Sequence, residues 1–234
     1  MNRKTKTVGV IGAMKAETDA LKAALTDPVT ETISGVDFVS GRFGNVNLIV
    51  AQCGIGKVFA ALCAQTMILR FHPDFVLNIG VGGSLSEQLN IADVGVARAV
   101  VQHDMDTSGL GDPPGMVSGI NVIEFPCDAA LIEGLTAAAA SLGVHTQTGV
   151  IASGDIFVRD SETKRRLVDM FSAIVCELEG GAVAHVCYVN QVPFCVLRAV
   201  SDNGDENAER AYADALHRAS DVALNVAMTY LKTL

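Results

Sequence analysis

Strand-length apolar runs alternate with helical segments along most of this chain, and that alternation constrains the fold more than any other feature. Apolar runs at residues 8–11, 75–79, 94–101, 144–152, 173–177 and 192–202 read as strands. Between them, residues 15–25, 57–71, 129–142, 162–171, 181–190 and 208–231 read as helices. Asp27-Pro28 is expected to end the first helix, and residues 36–40 and 46–52 form a hairpin across Gly44-Asn45. Gly80-Val81-Gly82-Gly83-Ser84 reads as a glycine-rich turn, and residues 103–121 as a long loop of the lid or interface type. Alternating strands and helices predict an α/β fold with a mixed, mostly parallel sheet covered on both faces. The 234 residues, half of them hydrophobic, suffice for one domain spanning 1–234, with 1–7 expected to be a disordered extension.

In such sheets ligands bind beyond the carboxyl ends of the strands. The unusual residues sit there: Gly12-Ala13-Met14 with Glu17, the Gly80–Gly83 run, Ser153-Gly154-Asp155, Glu177-Leu178-Glu179 and Ser201-Asp202. Arg198 lies inside an apolar strand, where a charge is costly unless paired. It serves either a ligand or one of the glutamates as a salt-bridge partner. Glu17 is either a favourable acid at a helix start or a ligand-facing group. Glu177 and Glu179, two apart, would share one face of an extended chain. Asp202 is a possible cap in the turn-rich Ser201-Asp202-Asn203-Gly204-Asp205. The convergence of four acids and one arginine carries the site hypothesis; no single residue does.

The formal net charge of −9 and the lack of a large basic cluster argue against nucleic acid as a partner. Lys164-Arg165-Arg166 reads as a solvated helix face. Six cysteines with no Cys-x-x-Cys pair suit a reducing, cytoplasmic compartment, and most lie in apolar runs where cysteine behaves as a small core residue. No apolar run reaches the length of a membrane span. His103-Asp104-Met105-Asp106 offers weak ligand evidence, and no metal is expected.

Ile11-Gly12-Ala13-Met14 with Glu17, Gly54-Ile55-Gly56-Lys57, Ser153-Gly154-Asp155, Glu177-Leu178-Glu179 and Arg198-Ala199-Val200-Ser201-Asp202 together resemble the methylthioadenosine/S-adenosylhomocysteine nucleosidases of the nucleoside phosphorylase superfamily. The resemblance runs from about Val8 to the C-terminal helix. It implies a three-layer α/β/α fold, a homodimer, no cofactor, and hydrolysis of the bond between adenine and a 5′-thio-substituted ribose. It implies Asp202 as the general acid to adenine N7, oriented by Ser201. Glu17 would activate the water and Arg198 would position it; Glu179 would take the ribose hydroxyls. It places Phe157 and Val158 beside the base, Leu178 under the ribose and Tyr212 over the site. Met14, Val81, Gly82 and Glu177 complete the binding set, and Asp106 and Thr107 would reach the partner subunit's pocket.

Two departures stand out. Val81 occupies a position where relatives often carry a hydroxyl near the water, and Leu178 replaces the usual methionine, a volume-conserving change. Competing readings are a phosphate-dependent phosphorylase, a futalosine-type hydrolase and a non-catalytic nucleoside-binding module. Glu17 argues against the first, because a carboxylate repels phosphate. The retained trio Glu17, Glu179 and Asp202 argues against the last.

Overall fold

The computed structural model describes residues 5–234. In chain order the strands are β1 (Thr7–Gly12), β2 (Thr26–Ile33), β3 (Val36–Phe43), β4 (Val46–Gln52), β5 (Phe75–Ser84), β6 (Val94–Gln102), β7 (Glu124–Pro126), β8 (Thr146–Ser153), β9 (Ala173–Glu177) and β10 (Phe194–Asp202). The helices are α1 (Asp19–Ala23), α2 (Lys57–Phe71), α3 (Ala129–Ser141), α4 (Ser161–Phe171), α5 (Gly180–Val189) and α6 (Ala208–Leu231). The sheet order is β10-β6-β8-β9-β5-β1-β4-β3-β2, with β7 on β6 and a further pairing of β10 to β5. Parallel pairings join β1 to β4 and β5, β5 to β10, β6 to β8 and β8 to β9. The result is the expected mixed sheet in a three-layer α/β/α arrangement.

The two faces are covered by different helices. Leu21 of α1, Leu131 and Leu135 of α3 and the apolar side of α6 pack with Val8, Leu77 and Leu197. Cys63 and Met67 of α2 and Val183 and Cys187 of α5 pack with Ile11, Val76 and Val196 on the other face. The central strands are buried on both sides, which is why their sequences are continuously apolar rather than alternating. Among the described residues, no helix is long and apolar enough to cross a membrane.

Several local expectations change. The first helix splits into a 3-10 turn at Lys15–Glu17 and the short α1. Asp27-Pro28 is not a helix stop but part of β2, a strand that the sequence pattern does not announce. β2 is the outermost strand, and its register shifts between Thr26 and Val29, where a proline costs no interior ladder bond. The short β7 is likewise hidden, within a segment that has no periodicity of its own. Thr7 belongs to β1, its N–H bonded to Asp74 at 2.7 Å, so the expected 1–7 extension is too long by at least this residue; residues 1–4 lie outside the described residues.

The Gly80–Ser84 run is not a turn; β5 continues through it. Its glycines answer to close packing. A Cβ on Gly80 would lie 2.5 Å from Glu17 Oε1, and one on Gly83 2.7 Å from Asp202 Oδ1. At that end β5 meets β9 in an antiparallel contact, Gly83 opposite Cys176. The carboxyl ends of β5, β9 and β10 therefore converge, and the crevice opens there.

Candidate active site

The crevice is lined by residues from every element that ends at it. Ala13, Met14 and Glu17 follow β1, Val81 to Gly83 end β5, Cys176 to Glu179 link β9 to α5, and Ser201 and Asp202 end β10. Ile156, Phe157 and Val158 line it from the loop after β8, Tyr212 from α6 and Ile55 from the loop before α2. Phe157 meets Tyr212 edge to face at 5.8 Å, and the Tyr212 hydroxyl points at Met14 Sδ, 3.3 Å away. These contacts make an apolar roof over an acidic floor.

Glu17 is buried and held by backbone. Its Oε2 accepts the Ala13 and Met14 N–H groups at 2.7 and 2.9 Å, and Oε1 accepts that of Val81 at 3.0 Å. Burial raises its pKa, against the opposing pull of Arg198 and these N–H groups. Val81 thus contributes its N–H to the acid, independent of any side-chain hydroxyl.

Across the crevice, Asp202 Oδ2 accepts the Ser201 hydroxyl at 2.8 Å, and Oδ1 accepts the Gly204 N–H at 2.9 Å. Ser201 Oγ also lies 3.3 Å from the Gly82 carbonyl, which anchors it to β5. Burial raises the Asp202 pKa above its ordinary value; the two hydrogen bonds only moderate this.

Glu177 and Glu179 do not share a strand face. The chain leaves β9 at Glu177, and Glu179 is the cap residue of α5, at φ −127° and ψ −36°. Glu177 Oε2 accepts the Glu179 and Gly180 N–H groups at 3.0 and 2.7 Å, holding the start of the helix. Glu179 Oε1 accepts the Gly56 N–H at 2.9 Å. Burial, then repulsion from Glu177, pushes the Glu179 carboxyl up to about 7.

Arg198 lies under this floor and does not line the crevice. It is 1% exposed, and its Nη2 binds Glu177 Oε2 and, at 2.6 Å, Asn78 Oδ1. Nη1 donates to the carbonyls of Asn78 and Leu197 at 3.2 and 3.1 Å, and Glu179 Oε2 lies 3.7 Å from Nη2. Burial alone would lower the guanidinium pKa, but Glu177, Glu179 and Glu17 together carry it above its ordinary value. Of the two sequence readings of Arg198, the salt-bridge partner is the geometry observed.

Asp106 and Thr107 lie apart from this chain's crevice. Asp106 is exposed and accepts the Ser108 N–H at 2.8 Å, and Thr107 donates to Asp112 at 2.8 Å. Asp104 of the same segment is taken by Lys57 and by the Asp155 N–H. Sequence reasoning missed Ile55 and Ile156 on the wall and Asn78 beneath Arg198. Asn78 leaves a signal, a lone amide in the apolar run 75–79.

A family model described as the phosphorylase superfamily matches residues 7–232. A 5′-methylthioadenosine/S-adenosylhomocysteine nucleosidase of Shewanella loihica is 34% identical over 97% of this chain and 99% of its own length. This chain belongs to that nucleosidase family. The Neisseria meningitidis nucleosidase, in complex with methylthio-immucillin-A, superposes with a TM-score of 0.95 at 32% identity, covering 98% of this chain and 100% of that one. The Helicobacter pylori futalosine hydrolase superposes with a TM-score of 0.94 at 36% identity, covering 98% and 99%. The protein is accordingly an N-glycosyl hydrolase with a small-molecule nucleoside substrate.

Proposed function

We propose that the enzyme hydrolyses 5′-methylthioadenosine and S-adenosylhomocysteine, releasing adenine, with Asp202 as general acid and Glu17 as the base for water. The observation that carries this reading is the pairing of two buried carboxyls across one crevice, both with raised pKa values. Protonated Asp202 donates to N7 as the glycosidic bond breaks, and Ser201 fixes its orientation. Acid catalysis of this type contributes about 10²–10⁴-fold. A carboxylate offers roughly four lone-pair sites, and on Glu17 backbone N–H groups occupy three. The remaining site on Oε1 is available to a water proton.

Glu179 accepts from the ribose hydroxyls, and Glu177 holds it in place through its N–H. Their negative charge favours the cationic ribose of the transition state. Arg198 acts from below, balancing these acids rather than touching the water. Phe157, Val158 and Tyr212 enclose the base, while Met14, Val81, Gly82 and Leu178 pack around the ribose. Among the described residues, no lysine or arginine lines the crevice, which favours water over phosphate as nucleophile. Futalosine-type substrates are the second reading, supported by the likeness to the Helicobacter pylori hydrolase.

The reading includes a cytoplasmic homodimer in which residues 7–232 act as one domain. Val58, Phe59, Leu62 and Leu69 form an exposed apolar stripe on α2 suited to a second copy, which would bring Asp106 and Thr107 to the neighbouring crevice. The deciding assay is adenine release from 5′-methylthioadenosine in phosphate-free buffer. No release, or release only with phosphate and as a ribose phosphate, refutes it.

A further inference from the structure

Away from the crevice, three thiols gather where the start of β10 meets the end of β7. Cys187 and Cys127 line one surface cleft with Tyr188, Gln191 and Phe194, and Cys195, next to Phe194 on β10, is buried. The strand registers bring two of them together. β10 pairs with β6 as far as Leu197 opposite Val96. β7 pairs with β6 as Ala99 opposite Pro126, and Cys127 follows it beside Arg98. Cys127 N donates to the Arg98 carbonyl at 3.0 Å. β8 occupies the other edge of β6, so β7 and β10 must share one edge and meet end to end. Asp128 N donates to the Phe194 carbonyl at 2.9 Å and closes the joint.

We propose that Cys127 and Cys195 are a peroxide-oxidisable pair that closes to a disulfide across this joint. Their access to solvent differs in the way such a pair requires. Cys127 is half-buried on the cleft, whereas Cys195 is fully buried. Oxidant therefore enters at Cys127 and Cys195 resolves.

The chemistry balances with hydrogen peroxide as oxidant. The Cys127 sulfur attacks the O–O bond, giving a sulfenic acid and one water. The Cys195 sulfur then displaces the hydroxyl, which leaves with the Cys195 proton as a second water. Two thiols are oxidised by two electrons, and one peroxide is reduced. Cys53, Cys63 and Cys176 are buried elsewhere and stay reduced. Cys187, which lines the same cleft, is the competing partner.

The test uses the folded, reduced full chain. Hydrogen peroxide is added, remaining thiols are alkylated, and the digest is mapped by mass spectrometry. The expected product is a Cys127–Cys195 linked peptide, with the thiol count falling by two. Cys195→Ser should leave a Cys127 sulfenic acid that dimedone captures, and Cys187→Ser should still form the bond. Adenine release and far-UV circular dichroism establish that each variant is folded. Unchanged thiol count in the wild-type chain, or a bond mapped to Cys127–Cys187, overturns the proposal.

Discussion

Replacing Arg198 by methionine tests the balance on which the acidic floor rests. The guanidinium is buried, bonded to Glu177 and within 3.7 Å of Glu179. Methionine fills similar space but leaves these carboxylates without a counter-charge. Removing one partner of a buried ion pair costs about 3–5 kcal/mol. The cost should depend on pH, with a sign that follows from the raised acids. Glu179 stands at about 7 against an ordinary 4.5, so the folded chain holds its proton more tightly than the unfolded one. The associated stability is present below pH 4.5 and is lost as pH rises through 7, by about 3 kcal/mol. Arg198 opposes that loss, because its charge lowers the pKa of both Glu179 and Glu17. Without it both acids rise further and the loss deepens. Urea unfolding followed by circular dichroism should show Arg198→Met destabilised by about 3–5 kcal/mol at pH 8 and clearly less at pH 5. Adding Glu177→Gln should recover part of the difference. An equal loss at both pH values, or a loss below about 1 kcal/mol at pH 8, refutes the counter-charge role.

Asp202→Asn keeps the Gly204 hydrogen bond and can donate to Ser201, so stability should stay within about 1 kcal/mol of wild type while kcat falls about 10²–10⁴-fold with little change in substrate Kd; turnover near the wild-type rate refutes the acid assignment. Gly80→Ala drives a methyl into the Glu17 carboxyl and should abolish most turnover in steady-state assays while far-UV circular dichroism stays unchanged. Glu179→Gln should flatten stability against pH between 4.5 and 7 and raise KM, and an unaltered unfolding profile in that window counts against the raised pKa. Leu62→Glu places a charge in the α2 stripe and should shift sedimentation from dimer to monomer; a dimer that persists removes that face as the interface.

Much of this architecture is legible in the amino-acid sequence. Continuous apolar runs mark the buried strands, and the acids at their carboxyl ends mark the floor of the crevice, because both signals are local. What stays hidden is any residue that serves a distant neighbour. Pro28 has the look of a helix stop, and only the pairing of β2 as an edge strand explains it. The glycines of β5 have the look of a turn, because sequence does not show that Glu17 and Asp202 press against them. Ile55 and Ile156 sit in loops where nothing marks a wall residue.

By itself the sequence determined the α/β class, the order of the elements and which side chains are unusual, since periodicity, apolar runs and charge are properties of neighbours along the chain. Only the tertiary structure decided how those side chains pair. It put Arg198 beneath Glu177 and outside the crevice lining, bent Glu179 out of the strand and onto the Gly56 N–H, and set Glu17 on the Val81 amide. Each of these contacts joins residues from separate strand ends. Burial and the repulsion of neighbouring carboxylates, which raise these groups, exist only once β5, β9 and β10 converge.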